Sequence, residues 1–259
     1  MLTAIVKTPT PSLVDACELT FLDRVPMDFE LALAQHAGYR EALEHAGAHV
    51  LILDASPDLA DSVFIEDTAI ILDELAILTR PGAPSRQSEP TYVEPALAPY
   101  RRLEHIQAPG TLDGGDVLRV GRTLFVGVST RTNAEGIRQL EQITRPLGYI
   151  IAPVSVLGSL HLKTACTALD ATTILLNPNW IDPEPFKDFQ RIPVAADEPF
   201  GANVLPIAGN LIVNESFPRT FDLIAAHCQS SGVPLIPVNI SEFGKAEAGL
   251  TCLSLLFEE

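Results

Sequence analysis

The sequence predicts an α/β fold in which about five repeats of strand, strand, helix and strand close around an axis. Strand-like and helix-like runs alternate along all 259 residues, with no low-complexity linker to divide them. The repeating unit is roughly 50 residues long and mixes both kinds of run, which suits a closed array of repeats. The glycine signatures of a nucleotide-binding sheet are missing: "GRTLFVGVSTRTNAEG" holds no GxGxxG, and no Walker sequence occurs. Residues 1–259 are therefore expected to form a single domain.

Each element has its own justification. "TAIVKT" (3–8) reads as a strand, and apolar residues at three- and four-residue steps predict a helix from about Asp28 to His45. "HVLIL" (49–53) is the next strand. "SVFIEDTAII" and "LAILT" (75–79) read as a hairpin across "LDE". A polar segment from Gln87 to Tyr100 carries a helix and leads to "RLEHI" (102–106). "DVLRVGRTLFVGV" (116–128) is a second hairpin turning at Gly121-Arg122, followed by a helix from about Asn133 to Leu147 and the strand "YIIAPV" (149–154). "HLKTACTAL" (161–169) and "TTILLN" (172–177) precede a loop-rich stretch from 178 to 199. The last unit holds "NVLPIAGNLIVNE" (203–215), a helix over about Thr220–Ser230, "PLIPV" (234–238) and "TCLSLLF" (251–257).

Composition narrows the function classes. The chain is 47% hydrophobic and 19% charged, as globular proteins are, and has no apolar run of membrane-spanning length. The start, "MLTAIVKTPTP", lacks the basic and apolar regions of a secretory signal, so a cytoplasmic protein is expected. A net charge of −16, with "YRR" at 100–102 the densest basic spot, argues against a nucleic-acid partner. Such a charge attracts small cations or serves only solubility. Four cysteines (Cys17, Cys166, Cys228, Cys252) form no CxxC, so no structural zinc is expected; they read as reduced thiols, one of which could be a nucleophile.

The candidate chemistry lies in six short stretches. In "DSVFIEDTAIILDELAILTRPG" (61–82), Asp61, Glu66 and Asp67 sit in or beside an apolar strand-like run, where a buried carboxylate needs a cation or a good donor. Either they pair with a structural arginine or cap a turn, or they await a cationic ligand. "PGTLDGGDVL" (109–118) adds Asp113 and Asp116 around two glycines, which let the backbone turn sharply into a cleft or simply close a hairpin. His161 in "GSLHLKTAC" is either a hydrogen-bonded core residue or an acid–base group. Cys252 in "AEAGLTCLSLLF" follows a glycine turn and precedes a buried strand; it is inert unless a base or cation lowers its pKa. Arg86 and Arg131 each lie on a loop after a strand, where they are solvated or converge on a carboxylate.

"DSVFIEDTAI", "RPGAPSR", "GTLDGGDVL", "STRTNAEG", "LHLKTAC" and "GLTCLSLLF", in that order, resemble the dimethylarginine dimethylaminohydrolases of the guanidino-group-modifying superfamily. The resemblance runs from about Ser12 to Phe257. It implies a fivefold α/β propeller with the active site in its central channel. It also implies Cys252 as nucleophile, His161 as general acid/base, Asp67 and Asp113 on the guanidinium with Glu66 and Asp61 nearby, and Arg86 and Arg131 on the amino-acid carboxylate. The implied reaction turns N-methylated arginine into citrulline and an alkylamine without metal or organic cofactor. Its partner is a small guanidino amino acid, with no membrane and an optional homodimer. The segment "VDACELTFLDR" (14–24) is expected to cover the bound amino acid. The same chemistry on arginine or another guanidino compound is the alternative enzyme reading, and a non-catalytic guanidino amino-acid binder the alternative of another class.

Overall fold

The computed structural model describes residues 1–56 and 58–259. Its fifteen described strands are β1 (Leu2–Lys7), β2 (His49–Leu53), β3 (Ala69–Ile71), β4 (Leu75–Leu78), β5 (Arg102–His105), β6 (Val117–Val120), β7 (Thr123–Val128), β8 (Ile150–Ser155), β9 (Cys166–Ala168), β10 (Thr173–Leu176), β11 (Gln190–Pro193), β12 (Leu205–Ile207), β13 (Asn210–Asn214), β14 (Leu235–Val238) and β15 (Leu255–Glu258). They form five three-stranded sheets, ordered β3-β4-β5, β6-β7-β8, β9-β10-β11, β12-β13-β14 and β15-β1-β2. Every sheet repeats one pattern: the first strand runs antiparallel to the second, and the second parallel to the third. This is a fivefold pseudosymmetric α/β propeller. The fifth sheet is built from both ends of the chain, with Ile5 opposite Leu255 in the register.

A parallel pair needs a crossover. Four sheets use a helix: Phe29–His45, Pro90–Leu97, Ala134–Thr144 and Pro218–Ser231. Asp28 and Asn133 start two of them by accepting the backbone N–H of Leu31 and Gly136, at 3.0 and 2.8 Å. The third sheet crosses through a loop with one short turn, Glu184–Phe186, which is why 178–199 reads as loop. That stretch also holds β11, whose "QRIP" is mostly exposed and shows no alternation. Middle strands such as β4 and β10 are buried along their whole length, flanked by a strand on each side.

Three strand-like runs end differently from their sequence reading. Ile65–Thr68 is a 3-10 turn, and the strand begins only at Ala69. His161 caps a short helix, Leu162–Ala165, and the strand starts at Cys166. Thr251–Leu253 is another 3-10 turn ahead of β15. The physical cause is the same in each: the side chains there bond to groups on other sheets, so the backbone leaves the ladder. Among the described residues, no helix is long and apolar enough to cross a membrane.

The closing sheet gives a direct test of packing. Ile5 is fully buried against β15, whereas Ile52 on β2 is 50% exposed. Ile5→Ala is expected to cost about 2–5 kcal/mol in denaturant unfolding. Ile52→Ala should stay within roughly 0.5 kcal/mol of the parent.

Candidate active site

The five sheets deliver side chains to one centre from equivalent places, just ahead of their first strands. Glu66 and Asp67 come from the turn before β3, and Asp113 and Asp116 from the turn before β6. His161 and Lys163 precede β9, Asn203 precedes β12, and Cys252 precedes β15. The repeat that shapes the fold therefore also assembles the site.

His161 is the hub. Its Nε2 lies 2.9 Å from Asp113 Oδ2, and its Nδ1 lies 3.7 Å from Asp67 Oδ1. Burial works against the charged imidazole, but Asp67, Asp113 and Asp116 outweigh it and push His161 up to about 9. It is an imidazolium at neutral pH. Asp67 is also buried, yet His161 and Arg86 hold it down at about 2. Its Oδ2 accepts from Arg86 Nη1 at 2.6 Å and its Oδ1 from the Gly115 N–H at 2.9 Å. A Cβ at Gly115 would come within 2.8 Å of that carboxylate and of the His161 ring, so only glycine fits there.

Asp113 accepts the Gly82 N–H at 2.7 Å as well as facing the imidazole. The resemblance implied Asp113 on the guanidinium; the structure places it against His161, outside the small cavity described below. Asp116 takes the hydroxyls of Ser129 and Thr132, each at 2.6 Å, and the Leu162 N–H at 2.9 Å. Burial raises it to about 6. It ties the second sheet to the first residue of the helix Leu162–Ala165.

Cys252 is 7% exposed, and its Sγ lies 3.4 Å from the Gly249 N–H. Burial, then the Glu66 and Asp67 carboxylates, push the thiol up, so it is protonated at neutral pH. Glu66 supports the same turn by accepting the Thr251 hydroxyl at 2.8 Å, and it pairs with Lys163. Burial raises Glu66, while Lys163 draws it back. Asn203 clamps the turn from the fourth sheet, donating to Thr251 Oγ1 and Lys163 O and accepting the Thr251 N–H. Lys163 and Asn203 escaped the sequence reading. A lysine inside the apolar "LHLKTAC" was the available signal for the first.

Asp61, Asp67, Arg86, Arg131, His161 and Cys252 all line a cavity of about 20 Å³. That is far below the several hundred Å³ of a small-molecule site. Arg86 is buried and not on an open loop: it sits in the turn Pro84–Arg86 and donates to Glu89, Asp67 and the carbonyls of Asp61 and Phe64. Arg131 is less engaged, with Nη2 on Thr20 Oγ1 at 3.3 Å. Asp61 accepts the Glu18 N–H at 3.1 Å, and burial raises its carboxyl. Residues 18–22 thus close over the cavity. Glu66 faces a neighbouring cavity of about 310 Å³ that Lys163 and Thr251 also line.

Asp67, Asp113 and His161 bring one donor atom each within 4.8 Å of one another, close enough for a metal ion. Their nearer role here is mutual: the two acids, with Asp116, raise the imidazole between them.

The arginine deiminase family matches residues 56–198. The N(G),N(G)-dimethylarginine dimethylaminohydrolase of Streptomyces coelicolor is 40% identical over 259 residues, covering 99% of this chain and 97% of that protein. The enzyme of the same name from Pseudomonas aeruginosa is 34% identical over 255 residues, 98% of both. A structure of the Pseudomonas enzyme, a cysteine-to-serine mutant complexed with citrulline, matches with a TM-score of 0.92 over 99% of this chain and 100% of that one, at 35% identity. The N-terminal domain of ArgZ shares the fold at a TM-score of 0.87 and 19% identity, covering 100% of this chain and 98% of that one. Fold and site together define a guanidino-modifying enzyme of the arginine deiminase class. Within that class, the chain belongs to the dimethylarginine dimethylaminohydrolase family.

The charge network makes two measurable claims. His161 should titrate near pH 9 by NMR of its ring protons, and Asp113→Asn should lower that value. Because the folded value lies above the ordinary 6.5, its contribution to stability is complete below about pH 6.5 and is lost as pH rises through about 9. Separately, Lys163→Met leaves Glu66 buried without its cation. It should cost roughly 3–5 kcal/mol in unfolding, most of it recovered in the Lys163→Met/Glu66→Gln double variant.

Proposed function

We infer that the chain hydrolyses N-methylated arginines to citrulline and an alkylamine, with Cys252 as nucleophile, as one catalytic domain. The observation that carries this reading is the short supply of positive charge around Cys252. Buried carboxyl groups crowd a site whose thiol is kept protonated by burial first and by the Glu66 and Asp67 charges second. A guanidinium ligand relieves both conditions. It balances the acids, and its charge beside Sγ favours the thiolate, the thiol proton leaving to solvent.

The residues then divide the work. The anionic Asp67 accepts N–H groups of the guanidinium and fixes its plane. Arg131, with donors to spare, takes the α-carboxylate; Arg86 adds a second positive charge behind Asp67. Asp61 faces the α-ammonium end. The Cys252 thiolate adds to the guanidinium carbon, forming a C–S bond. The His161 imidazolium gives its proton to the leaving nitrogen, the C–N bond breaks and the alkylamine departs, leaving a thiouronium on Cys252. His161, now neutral, takes a proton from water as the oxygen adds to the same carbon. The C–S bond breaks, the adduct's remaining hydroxyl proton passes to the departing sulfur as the ureido C=O forms, and citrulline is released with Cys252 again a thiol. Asp113 acts through His161, holding the ring and stabilising its charged form.

The test is a ureido assay with dimethylarginine, monomethylarginine and arginine. The methylated substrates should turn over faster than arginine, and Cys252→Ala should abolish product. Arg131→Ala should raise KM by the equivalent of roughly 2–5 kcal/mol with kcat less affected. Asp113→Asn should lower kcat at nearly unchanged KM. Faster release of citrulline from arginine would make the chain a deiminase instead.

A further inference from the structure

The cover over the cavity is fastened at one atom. Glu247 Oε1 accepts three consecutive backbone N–H groups, from Thr20, Phe21 and Leu22, at 2.9, 2.5 and 2.6 Å. Successive amides converging in this way make an anion-binding concavity, and a carboxylate is the ion that fills it best. Glu247 is 3% exposed and belongs to the cavity wall. It lies five positions before Cys252, on the loop that carries the nucleophile. The same loop grips the cover's continuation: Lys245 donates to the Pro26 carbonyl at 3.0 Å, and Glu242 accepts the Asp28 N–H at 2.8 Å.

Two features set Glu247 apart from those outer ties. Its backbone is left-handed, with φ at +61°, a strained conformation for a residue with a Cβ. Its second oxygen, Oε2, is buried with no hydrogen-bond partner among the described residues. A buried carboxylate oxygen left without a donor is costly. The closed cover is thus held by three strong bonds and opposed by strain and one unsatisfied oxygen, the balance a part needs if it must both close and open.

We propose that Glu247 is a positioning residue that latches residues 20–22 to the nucleophile loop, so that closure of the cover and placement of Cys252 are one event. This rests on the proposed function only in taking Cys252 as the reacting thiol. At about 20 Å³ the latched cavity is far smaller than the several hundred Å³ of small-molecule sites, so the latch releases for each ligand and re-forms over it. Glu247 sets how often the cover is open and leaves the bond-making steps to Cys252 and His161.

The experiment compares the parent with Glu247→Ala and Glu247→Gln. Hydrogen exchange at the amides of Thr20, Phe21 and Leu22 should be at least tenfold faster in Glu247→Ala, with β4 and β10 unchanged. Carbamidomethylation of Cys252 should quicken while that of the buried Cys166 does not, and KM for the amino acid should rise more than kcat falls. Glu247→Gln retains an acceptor oxygen and should fall between parent and Glu247→Ala on all three scales. If Glu247→Ala does not fold, the Gln variant carries the same comparison with the parent. Unchanged exchange at residues 20–22, or acceleration spread evenly over the chain, would overturn the latch. Exchange and labelling need no turnover, so a failure to hydrolyse methylarginines would sink the functional reading and leave the latch separately judged.

Discussion

The centre of this protein is short of positive charge, and much of the structure answers that shortage. Asp61, Glu66, Asp67, Glu89, Asp113 and Asp116 are all buried near one axis, facing Arg86, Arg131, Lys163 and the His161 imidazolium. The cost shows in the acids themselves. Burial holds Asp61, Glu66, Glu89 and Asp116 above the usual carboxylate range, while Asp67, gripped by His161 and Arg86, falls below it. A site in this condition binds a cation with the protein's own electrostatic strain as part of the driving force. Planar, multi-donor cations suit it best, because the acceptors are spread around the cavity rather than gathered at a point.

Geometry comes from the backbone. Gly82, Gly115, Leu162 and Glu18 each aim an amide N–H at one of these carboxylates. The Gly82, Gly115 and Leu162 amides lie outside the cover, in turns and a helix start beside the sheets, so Asp113, Asp67 and Asp116 are held in place before any ligand arrives, which is the preorganisation that electrostatic catalysis requires. The sheets supply this arrangement repeatedly because each first strand begins with a short turn pointing to the axis. Five modest contributions add to one dense site.

Much of this was legible in the sequence, and the gaps have physical causes. Strand and helix periodicity marked nearly every element, since middle strands are continuous apolar runs and crossover helices are amphipathic. It failed at Ile65–Thr68 and at His161, where apolar neighbours disguised turns whose polar side chains bond across sheets. The placement of Arg86 was beyond periodicity too: its partners Asp67 and Glu89 decide its burial, and neither pairing follows from a loop-like stretch. Glu247 and Asn203 were invisible because their partners lie some hundreds or tens of positions away, separated by 225 residues for Leu22 and 48 for Thr251. Local sequence reports what an element is; it does not report which distant amide a carboxylate will meet.

The order of strands within each sheet also bears on how the molecule avoids sticking to its own copies. A three-stranded sheet has two open edges, each a template for another chain. Here the first strands β3, β6, β9, β12 and β15 turn their edges toward the common axis, where β3 meets β15 and β6 meets β9. The outer edges are defended by composition: β8, β11 and β14 each carry a proline, at Pro153, Pro193 and Pro237, and β5 alternates Arg102 and Glu104. Proline removes a donor from the rim and charge resists stacking. Of the five outer strands, only β2, "HVLIL", has neither device, so the rim of the closing sheet carries neither safeguard.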